Sequence, residues 1–157
     1  MADGSYTFRN ALPLHPPQGE CIDLKSDNAG DPGQSVQHID CRGGEWQTWI
    51  VKRQADGCYT IKQHSPERRV FGGVIPAKDR CLDVREQTVN DFGGVLQWNN
   101  CNGASNQSFK IEKSGDAFSI FSKRNGLCVD LRESERGSGG RVQMMACNGT
   151  QNQKWTK

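Results

Sequence analysis

The stretch CVDLRESERGSGGRVQMMACNGTQNQKW, residues 128–155, decides the fold, because its spacing recurs twice earlier in the 157-residue chain. It opens with Cys-x-Asp-Leu, places a Gln four residues before a second Cys and ends in Gln-x-Trp. The opening recurs as CIDL from Cys21 and as CLDV from Cys81, and the ending recurs as QTW from Gln47 and QSF from Gln107. The chain is therefore built from three copies of one unit.

Each unit contains short runs that alternate large apolar and small polar residues, the period of a half-buried β-strand. The clearest runs are Tyr6-Thr7-Phe8, Tyr59-Thr60-Ile61 and Phe118-Ser119-Ile120. Clusters of Gly, Asn, Asp and Ser, such as 27–33 and 134–140, separate such runs and are typical of turns. The sequence predicts an all-β protein with almost no helix.

The three units are too small to bury an apolar face separately, so we expect them to share one core about a pseudo-threefold axis. The predicted organisation is a single domain over 1–157, with repeats at approximately 1–54, 55–114 and 115–157. The connection between the alternating run and the first Cys of each unit varies in length, which indicates a surface loop.

The Cys-x-Asp-[Leu/Val] openings, the paired cysteines and the Gln-x-Trp endings resemble the ricin B-type lectin family over essentially the whole chain. The resemblance implies a β-trefoil with one disulfide in each repeat, and each crosslink would contribute about 3 kcal/mol by constraining the unfolded chain. The expected disulfides are Cys21–Cys41, Cys81–Cys101 and Cys128–Cys147.

Several repeated residues have an expected structural role. The aromatic residues that end the units would form a shared apolar layer near the axis: Trp49, Phe109 and Trp155. The Gln residues two positions earlier carry amides suited to closing buried backbone groups: Gln47, Gln107 and Gln153. Cys58 is left over and is expected to be a buried thiol. The cysteine spacing fits no metal site, and neither a metal nor a cofactor is expected.

Asp23, Asp83 and Asp130 are the sharpest candidates for function. Each stands between two apolar neighbours, so we expect its carboxylate to face outward and accept hydrogen bonds from sugar hydroxyls. In the family that the chain resembles, the matching Asp contacts the sugar, assisted by the residue before the Gln of Gln-x-Trp. The alternative is that each Asp merely ties down a turn.

Departures from the family pattern weaken some of these sites. Similar lectins place an aromatic residue two positions before the second Cys, where this chain has Ile39, Asn99 and Met145. Trp98 could replace it in the second repeat, or face inward. The first repeat has Trp46 where Asn is expected, so the predicted ranking is second, third, then first. The candidate sugar-binding residues are Asp23, His38, Asp83, Gln97, Trp98, Asn99, Asn106, Asp130, Met145 and Asn152.

Composition limits the other classes of function. Hydrophobic residues make up 34% of the chain, and 20 basic against 18 acidic residues leave a formal charge of +2, with basic residues adjoining only in scattered pairs. A nucleic-acid partner is therefore not expected. No apolar run is long enough to span a membrane, so insertion into a membrane is not expected, and the N-terminus lacks the pattern of a signal peptide. Disulfides favour a secreted or extracellular protein.

The sequence predicts a binding protein and not an enzyme. The three His residues do not recur between units, and three acids repeated around an axis would lie too far apart to flank one glycosidic bond. Glycans or glycoproteins are the expected partners, galactose-type sugars are favoured, and several shallow sites would gain through multivalency. The main alternative is a trefoil that binds protein without sugar, such as a protease inhibitor or toxin-like ligand. Another is the targeting module of a larger glycan-active protein.

Overall fold

The computed structural model describes residues 1–12, 19–24, 34–65, 67–76, 78–85, 92–132 and 140–157. Within these residues the regular structure consists of β-strands and three short 3₁₀ turns, as the period-two runs predict. No helix in the described part of the chain is long and apolar enough to cross a membrane.

The strands are numbered in chain order and fall into the three predicted repeats. The first repeat contains β1 (Gly4–Tyr6), β2 (Arg9–Asn10), β3 (Glu20–Asp23), β4 (Gln34–Ser35), β5 (Gln37–Asp40) and β6 (Trp49–Arg53). The second contains β7 (Tyr59–Ser65), β8 (Arg68–Val70), β9 (Gly73–Ile75), β10 (Lys78–Val84), β11 (Phe92–Asn100) and β12 (Phe109–Ser114). The third contains β13 (Ala117–Ser122), β14 (Cys128–Leu131), β15 (Gly140–Met145) and β16 (Trp155–Thr156). The 3₁₀ turns are Glu45–Gln47, Ser105–Gln107 and Gln151–Gln153.

Fourteen strands form one antiparallel sheet that closes on itself. The path runs β1-β6-β7-β10-β11-β15-β14-β13-β16-β2-β3-β5, and β5 pairs back onto β15. A second closure is made by β12, which pairs with both β7 and β13. Each repeat pairs with both of the others, because β6 pairs with β7, β11 with β15 and β16 with β2. The two remaining strands, β8 and β9, form a separate two-stranded sheet.

One hairpin of each repeat carries a disulfide, and all three predicted disulfides are confirmed: Cys21–Cys41, Cys81–Cys101 and Cys128–Cys147. The hairpins are β3/β5, β10/β11 and β14/β15. Their strands share one register, in which the Asp two residues after the first Cys pairs directly with the Gln four residues before the second. The spacing in the sequence therefore encodes a cross-strand pair.

The aromatic residues that end the repeats lie in the core, as predicted. Trp49, Phe109 and Trp155 are fully buried in one cluster with residues of all three repeats. Trp49 Nε1 donates to the carbonyl of Ile22 at 3.0 Å, and Trp155 Nε1 donates to the carbonyl of Val129 at 3.1 Å. Each indole therefore packs into the core and also fixes the strand that carries the Cys-x-Asp motif.

The first alternating run differs from its two counterparts. Tyr59 and Phe118 lie inside β7 and β13, as predicted, but β1 ends at Tyr6. Phe8 is fully buried outside a strand. The chain instead continues into β2, which pairs with β16 through the register of Asn10 with Trp155. Pairing with the third repeat therefore overrides the local alternation.

Cys58 is buried and makes no disulfide. It directly precedes β7, and its backbone N–H donates to Oδ1 of Asp56 at 3.0 Å. The predicted burial of this thiol is confirmed, and the equivalent residue of the third repeat, Ala117, is also buried.

Candidate functional site

The three repeated aspartates are buried, so the prediction that their carboxylates face outward is wrong. Asp83 and Asp130 are each 1% exposed and Asp23 is 8% exposed. Burying a carboxylate is costly unless hydrogen bonds compensate. The neighbouring hairpin strand and 3₁₀ turn supply those bonds from side-chain amides. We call each Asp with the amides bonded to it an acid–amide cluster.

The third repeat contains a complete acid–amide cluster around Asp130. Gln143 Nε2 donates to Asp130 Oδ1 at 2.9 Å from the paired strand β15. Asn152 Nδ2 and Gln153 Nε2, both on the 3₁₀ turn, donate to Oδ2 at 2.9 and 3.0 Å. The hydroxyl of Thr150 lies beside this group, within reach of Oδ1 of both Asn148 and Asn152. Gln143 and Asn152 remain partly exposed beside the buried acid.

The second repeat forms the same cluster around Asp83, but the predicted sugar-binding residues Gln97 and Asn106 are themselves buried, at 8% and 6% exposed. Gln97 Nε2 and Asn106 Nδ2 donate to Asp83 Oδ1 at 3.3 and 2.8 Å, and Gln107 Nε2 donates to Oδ2 at 2.8 Å. Ala104 stands where the third repeat has its threonine and cannot donate. Asn106 Oδ1 is accordingly buried without a hydrogen bond from the described residues. An unpaired acceptor therefore lies inside the second cluster.

The first repeat has only part of this cluster. Gln37 Nε2 donates to Asp23 Oδ1 at 2.8 Å, and Gln47 also bonds the carboxylate. Trp46 occupies the position of the cluster asparagine and has no carboxamide, as the sequence indicated. Burial is the largest influence on Asp23 and raises its pKa, although the bonds from Gln37 and Gln47 and the charge of Arg42 oppose that shift.

We expect Trp46→Asn to lower the pKa of Asp23, because the new amide could donate to the carboxylate, as Asn106 and Asn152 donate in the other repeats. A raised pKa means that the folded state binds the proton more tightly than the unfolded state. Ionisation of Asp23 therefore lowers the free energy of unfolding as the pH rises through its pKa. Trp46→Asn should make this pH-dependent decrease in stability smaller. Carboxyl ¹³C NMR titration measures the pKa directly. Trp46→Phe is the matched control, since it keeps an aromatic ring without an amide, and equal pKa values in both variants would contradict the explanation.

The glutamines of the Gln-x-Trp endings close the backbone, as predicted. In each repeat the Gln side chain bridges the two residues that flank the second Cys. Its Oε1 accepts the backbone N–H of the residue after that Cys, and its Nε2 donates to the backbone carbonyl of the residue before that Cys. The six bonds measure 2.8–2.9 Å and join Gln47 to Arg42 and Asp40, Gln107 to Asn102 and Asn100, and Gln153 to Asn148 and Ala146. Because Nε2 of Gln107 and Gln153 also reaches the cluster Asp, one amide couples the turn to the acid.

A glycine two residues after each second Cys makes this closure possible. Gly43, Gly103 and Gly149 have φ values of 69°, 73° and 73°. A side chain at such a φ is strained, whereas glycine adopts it readily. The repeated glycine therefore turns the chain back, so that the 3₁₀ turn meets the Asp.

The residues two positions before the second Cys lie opposite the first Cys of each hairpin. Ile39 pairs with Cys21, Asn99 with Cys81 and Met145 with Cys128. All three are partly exposed beside their clusters. The backbone of Trp98 pairs with that of Leu82, but its side chain lies outside the described part of the structure. Its predicted role as a stacking platform stays a prediction.

His38 was predicted to contact the ligand, and the structure places it inside the protein instead. It lies on β5, is fully buried, and its Nδ1 is 3.3 Å from Oε1 of the equally buried Glu20 on β3. A fully buried side chain cannot contact a surface ligand without rearrangement. The alternation along β5 explains the difference, because Gln37 reaches Asp23 and the next side chain points to the other face.

Some residues at the clusters were not among the predicted sugar-binding residues. Gln107 and Gln153 were predicted only to close backbone groups, and both also donate to the cluster Asp. Gln37 and Gln143 donate to their cluster acids, and the signal was present, because both repeat the position of Gln97. Arg85 Nε donates to Gln97 Oε1 at 3.3 Å, which orients that amide toward Asp83. A basic residue follows each Cys-x-Asp-[Leu/Val] motif in the sequence, namely Lys25, Arg85 and Arg132. That recurrence could have identified Arg85.

The described residues contain no group of three or more His, Cys, Asp or Glu side chains arranged to hold a metal ion. The cluster acids are instead bonded to neutral amides. Such an arrangement can hold fixed donors and acceptors at a surface, which suits recognition of hydroxyl groups.

Comparison with solved structures defines the fold as a β-trefoil. A designed threefold-symmetric protein, ThreeFoil, superposes with a TM-score of 0.73 at 21% identity, covering 98% of this chain and 97% of that one. The ricin B-like lectin of Macrolepiota procera, solved with lactose, gives 0.70 at 18% identity, with coverage of 99% and 95%. The exo-β-1,3-galactanase 1,3Gal43A of Clostridium thermocellum gives 0.76 at 25% identity, but the match covers 97% of this chain and only 29% of that one.

Residues 11–155 match the family of the ricin-type beta-trefoil lectin domain. Since this match extends over most of the 157 residues, the chain belongs to that family, as its motifs suggested. A search of curated protein sequences finds no match.

Proposed function

We propose that this domain is a non-catalytic lectin that binds glycans at the acid–amide clusters. The observation that carries the proposal is the pair of complete clusters around Asp83 and Asp130, in a chain that belongs to a lectin family. A sugar presents several hydroxyl groups, each a donor and an acceptor. An ordered set of amides presents complementary groups without the cost of ordering them on binding.

The buried acid acts through its amides in this mechanism. Each carboxylate accepts one N–H from every Gln or Asn amide that is bonded to it. These bonds fix the orientation of each amide and therefore which of its polar atoms faces the surface. In the third repeat, Gln143 and Asn152 are bonded to Asp130 and are also partly exposed. We infer that these amides contact the sugar directly, while Asp130 positions them.

The second and third repeats are the proposed binding sites, and the first is the weakest. Trp46 replaces the cluster asparagine in the first repeat, and burial raises the pKa of Asp23. Partly exposed Asn99 and Met145 border the two stronger sites. Two sites on one domain would increase binding to a surface that carries many copies of a glycan.

Galactose-type glycans are the proposed ligands. The family membership and the lactose complex of the Macrolepiota procera lectin support this proposal. The experiment is a glycan array with the whole chain, followed by titration with free lactose. We expect signals on galactose-terminated glycans that free lactose competes away.

Asn106→Ala and Asn152→Ala test where binding occurs. Asn152→Ala removes a partly exposed amide that would contact the sugar, and Asn106→Ala removes a buried amide that holds Asp83 in place. Each change should weaken its own site about tenfold, and the double variant should lose most array binding. Lys113→Ala is a matched surface control, because Lys113 is exposed on β12. Thermal unfolding of each variant separates lost recognition from lost folding. Full array binding by a folded double variant would place the sugar sites elsewhere.

A protein-binding trefoil is the competing proposal, favoured by the absence of an aromatic residue at Ile39, Asn99 and Met145. An array without binding to any glycan by the folded protein would support it. The galactanase match covers only 29% of that chain, so a role as the glycan-targeting module of a larger protein is also open to test from the full gene. The three disulfides support the proposal that the domain works in a secreted or extracellular setting.

A further inference from the structure

The hairpin of β8 and β9 exposes a concentrated apolar tip. Among the described residues, the large hydrophobic residues that are well exposed to solvent are Val70, Phe71 and Val74, with relative exposures of 47%, 110% and 54%. All three fall within five consecutive positions. Scattered exposed apolar residues need no explanation, but a local concentration marks an interaction site.

The geometry of the turn forces this exposure. Val70 pairs with Gly73, which leaves Phe71 and Gly72 as a two-residue connection. Gly72 has a φ of 94°, as the third residue of a type II turn requires, and Phe71 stands before it at the outermost point of the hairpin. The two strands form their own small sheet, apart from the main one. The tip therefore projects from the body of the protein.

Apolar side chains face both sides of this tip. Val70 pairs with Gly73 and Val74 pairs with Arg69, so the two valines lie at successive positions of the ladder and point to opposite faces. A pocket on a protein partner normally covers one face of a hairpin. The apolar layer of a bilayer surrounds an inserted tip on all sides, which fits side chains that point both ways.

Positive charge flanks the apolar tip. Residues 67–78 contain three basic residues and one acidic residue, a net charge of +2 that equals the formal charge of the whole chain. Arg69 and Lys78 are exposed at the base of the hairpin. Basic residues next to an apolar segment are attracted to the negative surface of membranes that contain anionic lipids.

We propose that the β8/β9 hairpin docks this domain on anionic lipid bilayers, with Phe71 entering the interface and Arg69 and Lys78 contacting the lipid headgroups. This contact is peripheral and does not depend on the sugar sites. A peripheral contact of this kind needs no membrane-spanning segment.

The test is co-sedimentation of the whole chain with vesicles of phosphatidylcholine, with or without phosphatidylserine. Neither lipid carries sugar, so glycan binding makes no contribution. We expect binding to the phosphatidylserine vesicles that weakens with added salt. Phe71→Ser should reduce partitioning by about tenfold or more, because it removes a large buried aromatic side chain from the bilayer, and Phe71→Trp should retain it.

The charged residues have a matched control. Arg69→Gln combined with Lys78→Gln should weaken binding to phosphatidylserine vesicles by about tenfold or more, while Lys113→Gln on β12 should have little effect. Absence of binding by the wild-type chain, equal binding to both vesicles, or unchanged binding by Phe71→Ser would each overturn the proposal. Concentration-dependent self-association that Phe71→Ser abolishes would instead assign the tip to a second copy of this chain.

Discussion

Replacing Asp130 by alanine is expected to lower the free energy of unfolding by about 3 kcal/mol or more. The change removes the acceptor of three side-chain amides, from Gln143, Asn152 and Gln153, while the strands and turn still hold those amides in place. Hydrogen bonds to a charged group each contribute about 1.5–3 kcal/mol. Water can replace part of the loss at the partly exposed Gln143 and Asn152, whereas the buried Gln153 keeps only its bonds to the backbone, such as the one to the carbonyl of Ala146. Chemical denaturation followed by tryptophan fluorescence measures the loss, which corresponds to roughly 6–12 °C in melting temperature.

The first repeat supplies the control for this prediction. Asp23→Ala should cost clearly less than Asp130→Ala, because Trp46 contributes no amide there and burial already raises the pKa of Asp23. Asp130→Asn should be intermediate, since it keeps one acceptor oxygen but directs its own N–H₂ toward an amide donor. Equal losses for Asp23→Ala and Asp130→Ala would show that the amides do not determine the cost.

Much of the fold could be predicted from the sequence, because its determinants recur at fixed spacing. Three Cys pairs, three Asp residues and three terminal aromatic residues define the hairpins, the disulfides and the shared core. The part that failed was the boundary of β1. Phe8 belongs to an alternating run, yet the chain leaves the strand before it to pair Asn10 with Trp155. Such pairing between distant segments leaves no trace in a local pattern.

The candidate site was predicted less well than the fold. Spacing indicated Asp83 and Asp130 as candidate positions, but alternation along a strand gave the wrong direction for their carboxylates. The hairpin brings a Gln opposite each Asp, and the glycine turn brings two more amides to it, so the acid is satisfied in the interior. The contacts between these amides and the Asp form only in the tertiary structure, so the local pattern does not reveal them. The same limitation applies to His38, whose partner Glu20 lies on another strand.

The three proposed sites also differ from one another, and differences at single equivalent positions of the repeats explain how. Thr150 places a hydroxyl beside Asn152 Oδ1 in the third repeat. The second repeat has Ala104 at that position, and no described residue donates a hydrogen bond to Asn106 Oδ1. Trp46 removes the asparagine altogether in the first. One framework of Cys, Asp, Gln and Gly residues therefore supports three sites of different completeness. Because the framework residues hold the fold together, the differences among the three proposed sites fall on the positions between them.

Replacing Trp155 by alanine is the other change with a large expected effect, a loss of about 3–5 kcal/mol in the free energy of unfolding. Trp155 is fully buried, and its removal would leave a cavity in the core shared by all three repeats. It would also remove the donor to the carbonyl of Val129, which helps to fix the strand that carries Asp130. The midpoint of urea denaturation should fall while its slope stays unchanged, as expected for two-state loss of stability.

Comparison among the repeats separates packing from hydrogen bonding in this residue. Phe109 fills the equivalent position of the second repeat without an indole N–H, so Trp155→Phe should cost only about 1–2 kcal/mol. Trp49→Phe should cost a similar amount, because Trp49 donates to Ile22 as Trp155 does to Val129. A loss below about 1 kcal/mol for Trp155→Ala would mean that the three repeats do not share one cooperative core.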